Sequence, residues 1–295
     1  MSDVGADPRA CVMLALAEDL GSDPAEVARD VTSALSVAAD QRGRGVIRAK
    51  QDGVLAGIGC AIESFRALDA DCALEPLRAD GDAFAPGDEV LRFEGRMAAL
   101  LAAERTALNF LQRLSGVATR TRRFVELVAG TGARILDTRK TTPGLRYLEK
   151  AAVVAGGGEN HRIGLFDQVL LKENHFGFAR PARYEDVVSR CCQGHDRPVI
   201  AEARDVEEAE AAVRGGAGVV LLDNFAAGEP LRAAVAKVRA VARELGREVE
   251  TEASGGIGLE NVRSYAECGV DRISVGSLTH SAPAVDLSMV VEGVE

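Results

Sequence analysis

Cationic side chains cluster in this chain where an apolar run gives out. Ile135–Leu136 lead directly into Asp137–Thr138–Arg139–Lys140–Thr141–Thr142, and Pro143–Gly144 closes the segment. That is the pattern of a buried strand ending in a turn. Adjacent Arg and Lys at a strand tip contribute little to a core and hold an anion well. More such groups end later apolar runs. Arg162 and Lys172 are cationic and His161 can be, so a dicarboxylate or several phosphate oxygens could be gripped here. Glu202 and Asp223 stand at two successive strand tips, where hard carboxylate oxygens suit Mg²⁺, an ion that commonly arrives on phosphate. Ser254–Gly255–Gly256 and Val275–Gly276–Ser277 offer backbone N–H groups to a phosphate. Together these residues specify a phosphorylated sugar, Mg²⁺ and a second, multiply anionic substrate.

The elements that must position them have a regular rhythm. From Ile135 onward, short apolar runs recur (Ile135–Leu136, Val169–Leu171, Val199–Ala201, Val219–Leu222, Val249–Thr251, Ile273–Val275), with Ala-rich helical segments such as Val206–Val213 and Leu231–Leu245 between them. Continuous apolar strands alternating with helices predict a parallel sheet covered by helices. A barrel is favoured over an open doubly wound sheet, because so many runs end in polar, chemistry-bearing groups and a βα barrel gathers such groups at one mouth. A helix is expected from Leu259.

The first third reads differently. A helix and then an acidic loop at Asp30–Thr32 are expected over about 8–35, followed by short β runs at Val46–Lys50, Val54–Gly57 and Glu89–Phe93 separated by Asp52–Gly53, Asp80–Gly81 and Pro86–Gly87 turns, with a helix near Ala61–Leu68. Gly57–Ile58–Gly59 lacks the third glycine of a dinucleotide loop and reads as a turn. Met97–Val128 is mostly helical. Ser115–Gly116 interrupts it, so two helices are expected, with Arg105 as an exposed charge.

Composition narrows the class. The chain has 295 residues, 47% apolar, 4% aromatic and no Trp, so aliphatic residues and Ala must fill the core. A net charge of −10 argues against nucleic acid or an anionic membrane as partner. Yet between Arg134 and Lys172 seven Arg or Lys outweigh four Asp or Glu, a local excess of +3 that focuses on a small anion. The six cysteines are scattered; Cys191–Cys192 near His195 point in different directions on a helix and read as packing rather than metal ligands. Free thiols, no secretory signal at Met1–Arg9 and no membrane-length apolar run lead to the expectation of a cytoplasmic protein.

Five segments carry a resemblance: Asp137–Arg146, Gly156–Arg162, Leu171–His175, Leu222–Asn224 and Ser254–Ile257. They are similar to the quinolinate phosphoribosyltransferase family (nicotinate-nucleotide pyrophosphorylase, carboxylating), and Glu104–Gln112, Ser115–Thr119 and Ile273–His280 extend the likeness along the chain. The resemblance implies an N-terminal α/β sandwich domain (1–115, joined by 283–295), an open α/β barrel resembling a TIM barrel (116–282), and a head-to-tail homodimer that a higher assembly could extend. It implies that Arg105 reaches into the partner's site. With Thr138, Arg139, His161, Arg162 and Lys172 it would hold quinolinate. Lys140, Glu202, Asp223, Asn224, Ser254, Gly255, Gly256 and Gly276 would face phosphoribosyl pyrophosphate. Glu202 and Asp223 would meet Mg²⁺ with the substrate pyrophosphate, and Lys140, Lys172, Glu202 and Asp223 would be catalytic. No organic cofactor is implied.

The chain departs from the family pattern in places. Ile200 replaces a carboxylate two residues before Glu202, Glu173 stands where Asp is usual, and Ala151 and Val154 replace a common Tyr and Arg. Three other readings stay open: a related phosphoribosyltransferase of the molybdenum-operon type, a Schiff-base aldolase with Lys172 as nucleophile, and a non-catalytic metabolite sensor.

Overall fold

The computed structural model describes residues 7–21 and 29–294. In chain order the elements are α1 (Pro8–Leu20), α2 (Val31–Ser36), β1 (Arg42–Ala49), β2 (Gly53–Val54), α3 (Ile58–Leu68), β3 (Ala73–Pro76), β4 (Ala83–Phe84), β5 (Glu89–Arg96), α4 (Met97–Val128), β6 (Arg134–Leu136), α5 (Arg146–Ala155), β7 (Leu170–Leu171), α6 (Glu173–Phe178), α7 (Tyr184–Gln193), β8 (Ile200–Ala203), α8 (Val206–Gly215), β9 (Val219–Asp223), α9 (Glu229–Glu244), β10 (Glu250–Ser254), α10 (Val262–Ala266), β11 (Arg272–Ser274), α11 (Ser277–His280) and β12 (Leu287–Val294). Two compact units emerge. The first holds the described residues up to Arg122, Thr141–Gly157 and those from Leu278 on; the second holds Arg123–Lys140 and Gly158–Ser277.

The first unit is built on an antiparallel sheet in the order β12-β1-β5-β3. Its apolar face carries Ile47, Leu91 and Phe93, all nearly inaccessible, and Phe93 stacks on Phe65 of α3 with ring centroids 5.5 Å apart. The helix expected from residue 8 runs to Leu20, where Gly21 takes a left-handed conformation (φ 78°); residues 22–28 lie outside the described residues. Two other local expectations are corrected. The acidic loop at Asp30 is a helix start, because the Asp30 carboxylate accepts the N–H groups of Thr32 and Ser33 and caps α2. Gly57 is likewise the cap of α3.

The second correction concerns Ser115–Gly116, which does not break α4 into two helices. The buried Ser115 hydroxyl accepts the N–H of Ala56 at 3.0 Å and donates to its carbonyl at 3.2 Å. A Cβ on Gly116 would lie 2.1 Å from the Pro283 carbonyl oxygen. Both residues are small because other segments cross the helix closely at that point, and a single Gly costs a helix only about 1 kcal/mol.

The second unit is a six-stranded parallel sheet in the order β6-β11-β10-β9-β8-β7. Each strand from β7 to β10 pairs with its successor, and β11 returns to pair with β6. That return is the wrap of an α/β barrel rather than the switch point of an open sheet. Among the described residues no ladder joins β6 to β7; beside β6 there is instead a single bridge, Leu136 to Glu159, so the barrel is open. One face of the sheet is apolar apart from buried Thr251: Ala201, Ala203, Val220, Leu222, Ala253 and Ile273 are at most 1% exposed. The helix expected from Leu259 is shorter, beginning at Val262, because the Asn261 side chain bonds Gly258 N–H and the Gly256 carbonyl and holds that stretch as a turn. Among the described residues no helix is long and apolar enough to cross a membrane.

Candidate functional site

Side chains alternate between the two faces of a strand, and residues paired in a parallel ladder point the same way. Leu170 pairs with Ile200 and Ile200 with Val219; Glu202 pairs with Leu221, and Asp223 with Ser254. Leu170, Ile200, Val219 and Leu221 form one buried cluster. The next position along each strand on that same face is therefore Lys172, Glu202, Asp223 and Ser254, all at the C-terminal ends. Lys172 continues the alternation in extended conformation, φ −118° and ψ 166°. Four chemistry-bearing residues spread over 83 positions of sequence thus share one face of one sheet.

Local bonds fix each of them. One Glu202 carboxylate oxygen accepts the Glu173 N–H at 3.1 Å, and the Glu202 carbonyl accepts the Tyr184 hydroxyl at 2.7 Å. Burial holds that hydroxyl protonated far above its usual range. The Lys172 N–H donates to Nδ1 of His175 at 2.9 Å, which caps α6 and leaves the Lys172 side chain exposed. Asn224 stands in the left-handed region (φ 59°), donates its side-chain amide to Asp223 Oδ2 at 2.6 Å, and gives its backbone N–H to the Ser254 carbonyl at 2.9 Å. Gly255 (φ 103°) must be glycine, since a Cβ there would lie 2.2 Å from the Asn224 side-chain oxygen.

The cationic tip lies at the end of β6. The Thr138 hydroxyl accepts the Lys140 N–H at 3.0 Å and shapes the turn that presents Arg139 and Lys140. Buried Asp137 accepts the backbone N–H of His161 at 2.9 Å, which ties this tip to the loop carrying Arg162. Burial, and after it the neighbouring Arg139 guanidinium, push the Arg162 guanidinium below its ordinary range, with Asp167 opposing. Two like charges brought together partly out of water form a site that an anion relieves. Asp167 itself accepts the N–H groups of Ile163 and Gly164, bonds that outweigh burial and keep its carboxyl low.

His161 is a ring that can be cationic, and its hydrogen bonding distinguishes the two nitrogens. Its Nδ1 accepts the Arg162 N–H at 2.8 Å, a bond that needs a lone pair on Nδ1 and so leaves Nε2 as the nitrogen to carry a proton. Gly276 follows β11 in the same unit, whereas Arg105 is an exposed residue on α4 in the first unit. Glu202 and Asp223 fit a Mg²⁺ ion shared with phosphate: both are hard carboxylates on one sheet face, and each has one oxygen engaged by the bonds above. No group of three or more His, Cys, Asp or Glu able to hold a metal occurs among the described residues, so water and a substrate would supply the remaining donors.

Two residues escaped the sequence reading. Glu252 and Arg272 are paired across β10 and β11, with Glu252 fully buried. The available signal was a lone acid in Thr251–Glu252–Ala253, two positions before Ser254 and therefore on its face.

Comparison with known proteins adds a family. Residues 117–290 match the model for the quinolinate phosphoribosyl transferase C-terminal domain, and residues 30–115 that for the N-terminal domain. A probable nicotinate-nucleotide pyrophosphorylase (carboxylating) of Bacillus subtilis is 39% identical over 92% of this chain and 89% of its own. The chloroplastic nicotinate-nucleotide pyrophosphorylase (carboxylating) of Arabidopsis thaliana is 36% identical over 97% and 83%. The solved nicotinate-nucleotide pyrophosphorylase of Francisella tularensis superposes with a TM-score of 0.86 at 35% identity, covering 97% of this chain and 96% of that one.

Proposed function

The chain belongs to the quinolinate phosphoribosyltransferase family, and from that premise we propose that it transfers the phosphoribosyl group of phosphoribosyl pyrophosphate to quinolinate with loss of CO₂, giving nicotinate mononucleotide and pyrophosphate for NAD biosynthesis. The observation that carries this reading is the common face of Lys172, Glu202, Asp223 and Ser254 in the unit that also holds the Arg139–Arg162 charge pair.

In this reading Thr138, Arg139, His161, Arg162 and Lys172 receive the two carboxylates of quinolinate, with Arg105 supplied by the partner subunit of a homodimer. Bidentate guanidinium contacts orient the diacid so that its ring nitrogen faces the ribose. Lys140, with the backbone N–H groups of Ser254, Gly255, Gly256 and Gly276, holds phosphate oxygens, while Asn224 supports that loop. Glu202 and Asp223 face the ribose ring and would hold Mg²⁺, which when bound neutralises pyrophosphate charge. The pyridine nitrogen forms a bond to ribose C1 as the C1–oxygen bond breaks and its electron pair leaves with pyrophosphate. Positive charge developing on the sugar is stabilised by the Glu202 and Asp223 carboxylates. The nitrogen is then quaternary. The bond from ring C2 to its carboxylate breaks, CO₂ departs, and the electron pair left on C2 beside the positive nitrogen takes up a proton. No protein nucleophile is required. Lys172 is exposed, which tells against the Schiff-base alternative, since that chemistry needs a desolvated amine.

The test is a steady-state assay with phosphoribosyl pyrophosphate and Mg²⁺, offering quinolinate or nicotinate. Nicotinate mononucleotide formed from quinolinate in preference to nicotinate supports the proposal. Turnover of nicotinate alone, or none with either acid, refutes it.

A further inference from the structure

The face beneath the strand ends is not apolar throughout. Arg134 contacts Glu159 at 3.0 Å and also pairs with Glu250; Arg272 lies 3.5 Å from Glu250 and 3.1 Å from Glu252; and Glu252 faces Nε2 of His161 at 3.4 Å. The chain of charges begins at Glu159 and returns, through β6, β10 and β11, to a residue two positions away. It is solvent-accessible at its Arg134 end and dry at its Glu252 end. The backbone of this loop is held too: Glu159 N–H donates to the Ile135 carbonyl at 2.8 Å, and His161 N–H to Asp137.

The geometry points to Glu252 as a positioning residue that fixes His161 in its Nε2-protonated form and thereby sets the backbone from which Arg162 reaches the carboxylate site. His161 has two ring nitrogens with opposite duties. Nδ1 accepts the Arg162 N–H, so it must carry a lone pair; the proton on Nε2 then faces the buried Glu252 carboxylate 3.4 Å away. Burial alone would raise the Glu252 carboxyl, but the His161 N–H, the Arg272 guanidinium and the Ser274 hydroxyl hold it below the usual range, so it stays ionised and acceptor-only. An ionised glutamate fully out of water, with Arg272, His161 and Ser274 against it, is costly unless its partners are fixed. It is more than the parallel strands of a barrel need for stability.

Glu252→Gln separates this role from a packing role. Arg272 is a permanent donor, so the glutamine oxygen turns to it and the amide N–H₂ faces His161 Nε2. That demands a lone pair on Nε2 and moves the proton to Nδ1, where it meets the Arg162 N–H. The volume is unchanged while the hydrogen-bond logic is reversed.

The experiment uses the full chain with ¹⁵N-labelled histidine. It has four histidines, and His161→Asn identifies the resonances of interest. The wild-type spectrum should show His161 protonated at Nε2 and bare at Nδ1, and Glu252→Gln should reverse the pattern or give a mixture. A wild-type His161 protonated on Nδ1, or a tautomer unmoved by Glu252→Gln, overturns the inference; the wild-type measurement holds even where the variant folds poorly. The kinetic arm rests on the quinolinate reading. KM for quinolinate should rise about 10–100-fold in Glu252→Gln with KM for phosphoribosyl pyrophosphate unchanged, the range seen when groups orienting a ligand residue are lost. Equal changes in both KM values, or none, overturn the positioning role. An enzyme inactive on quinolinate with the expected tautomer pattern would refute the function and leave the inference standing.

Discussion

Removing the Glu149 carboxylate should loosen the Thr141–Leu145 turn by an amount that can be counted from its bonds. Glu149 is fully buried in the first unit. Its Oε1 receives Arg113 Nη2 at 2.7 Å, Arg113 Nε at 3.1 Å and the Thr142 hydroxyl at 2.7 Å, and its Oε2 receives the Thr142 N–H at 3.0 Å. In Glu149→Ala the charge-assisted pair with Arg113 loses about 1.5–3 kcal/mol and the Thr142 bonds about 1 kcal/mol. The full 3–5 kcal/mol for breaking a dry ion pair is not reached. Arg113 keeps the Thr279 and Ala282 carbonyls at 2.5 and 2.8 Å, and its side chain is 28% exposed, so water reaches the freed guanidinium. The expected loss is about 3 kcal/mol. Urea unfolding followed by far-UV circular dichroism reads it, and native-state amide exchange should show Thr142 losing protection. A double-mutant cycle with Arg113→Met should return a coupling above about 1 kcal/mol. A loss below about 1 kcal/mol with Thr142 protection intact would refute the reasoning, because the turn would then be held by something other than this carboxylate.

Three further outcomes are expected. Arg139→Ala removes one guanidinium of the charge pair with Arg162 and should weaken quinolinate binding by about 2–3 kcal/mol, read by calorimetry; wild-type affinity would exclude Arg139 from the site. Mixing inactive Arg105→Ala with inactive Lys140→Ala protein should restore part of the activity through hybrid sites, and no recovery with subunit exchange demonstrated would reject a shared site. The Glu252 carboxyl is lower in the folded chain than in the unfolded one, so its contribution to stability is present above the ordinary glutamate value of 4.5 and is lost as pH falls through the lowered folded value. Stability profiles of wild type and Glu252→Gln should therefore converge on the acid side below about pH 4.5, and parallel profiles would contradict that origin.

Much of the candidate site's placement was legible because its signals are local. An apolar run that stops at Lys172, Glu202 or Asp223 announces both the strand and the group at its tip. Ser254–Gly255–Gly256 announces a turn by composition alone. What escaped depends on residues distant in the chain. Ser115–Gly116 reads as a helix break until Ala56 and Pro283 are seen to cross there. Glu252 reads as an oddity in a strand until Arg272 and His161, twenty residues after it and ninety-one before it, are brought against it. Asp30 shows a weaker form of the same problem, since an acid before a short polar segment serves a loop or a helix cap equally well.

The proposed reaction requires the strand ends of the second unit to form one site in which a pyridine diacid displaces pyrophosphate. The decisive substrate is quinolinate labelled in the carboxyl group on ring C2, supplied with phosphoribosyl pyrophosphate and Mg²⁺. One labelled CO₂ should be released for each pyrophosphate, and Glu202→Gln and Asp223→Asn should suppress both together while quinolinate still binds. Pyrophosphate release without labelled CO₂, or full turnover in both variants, would contradict the claim.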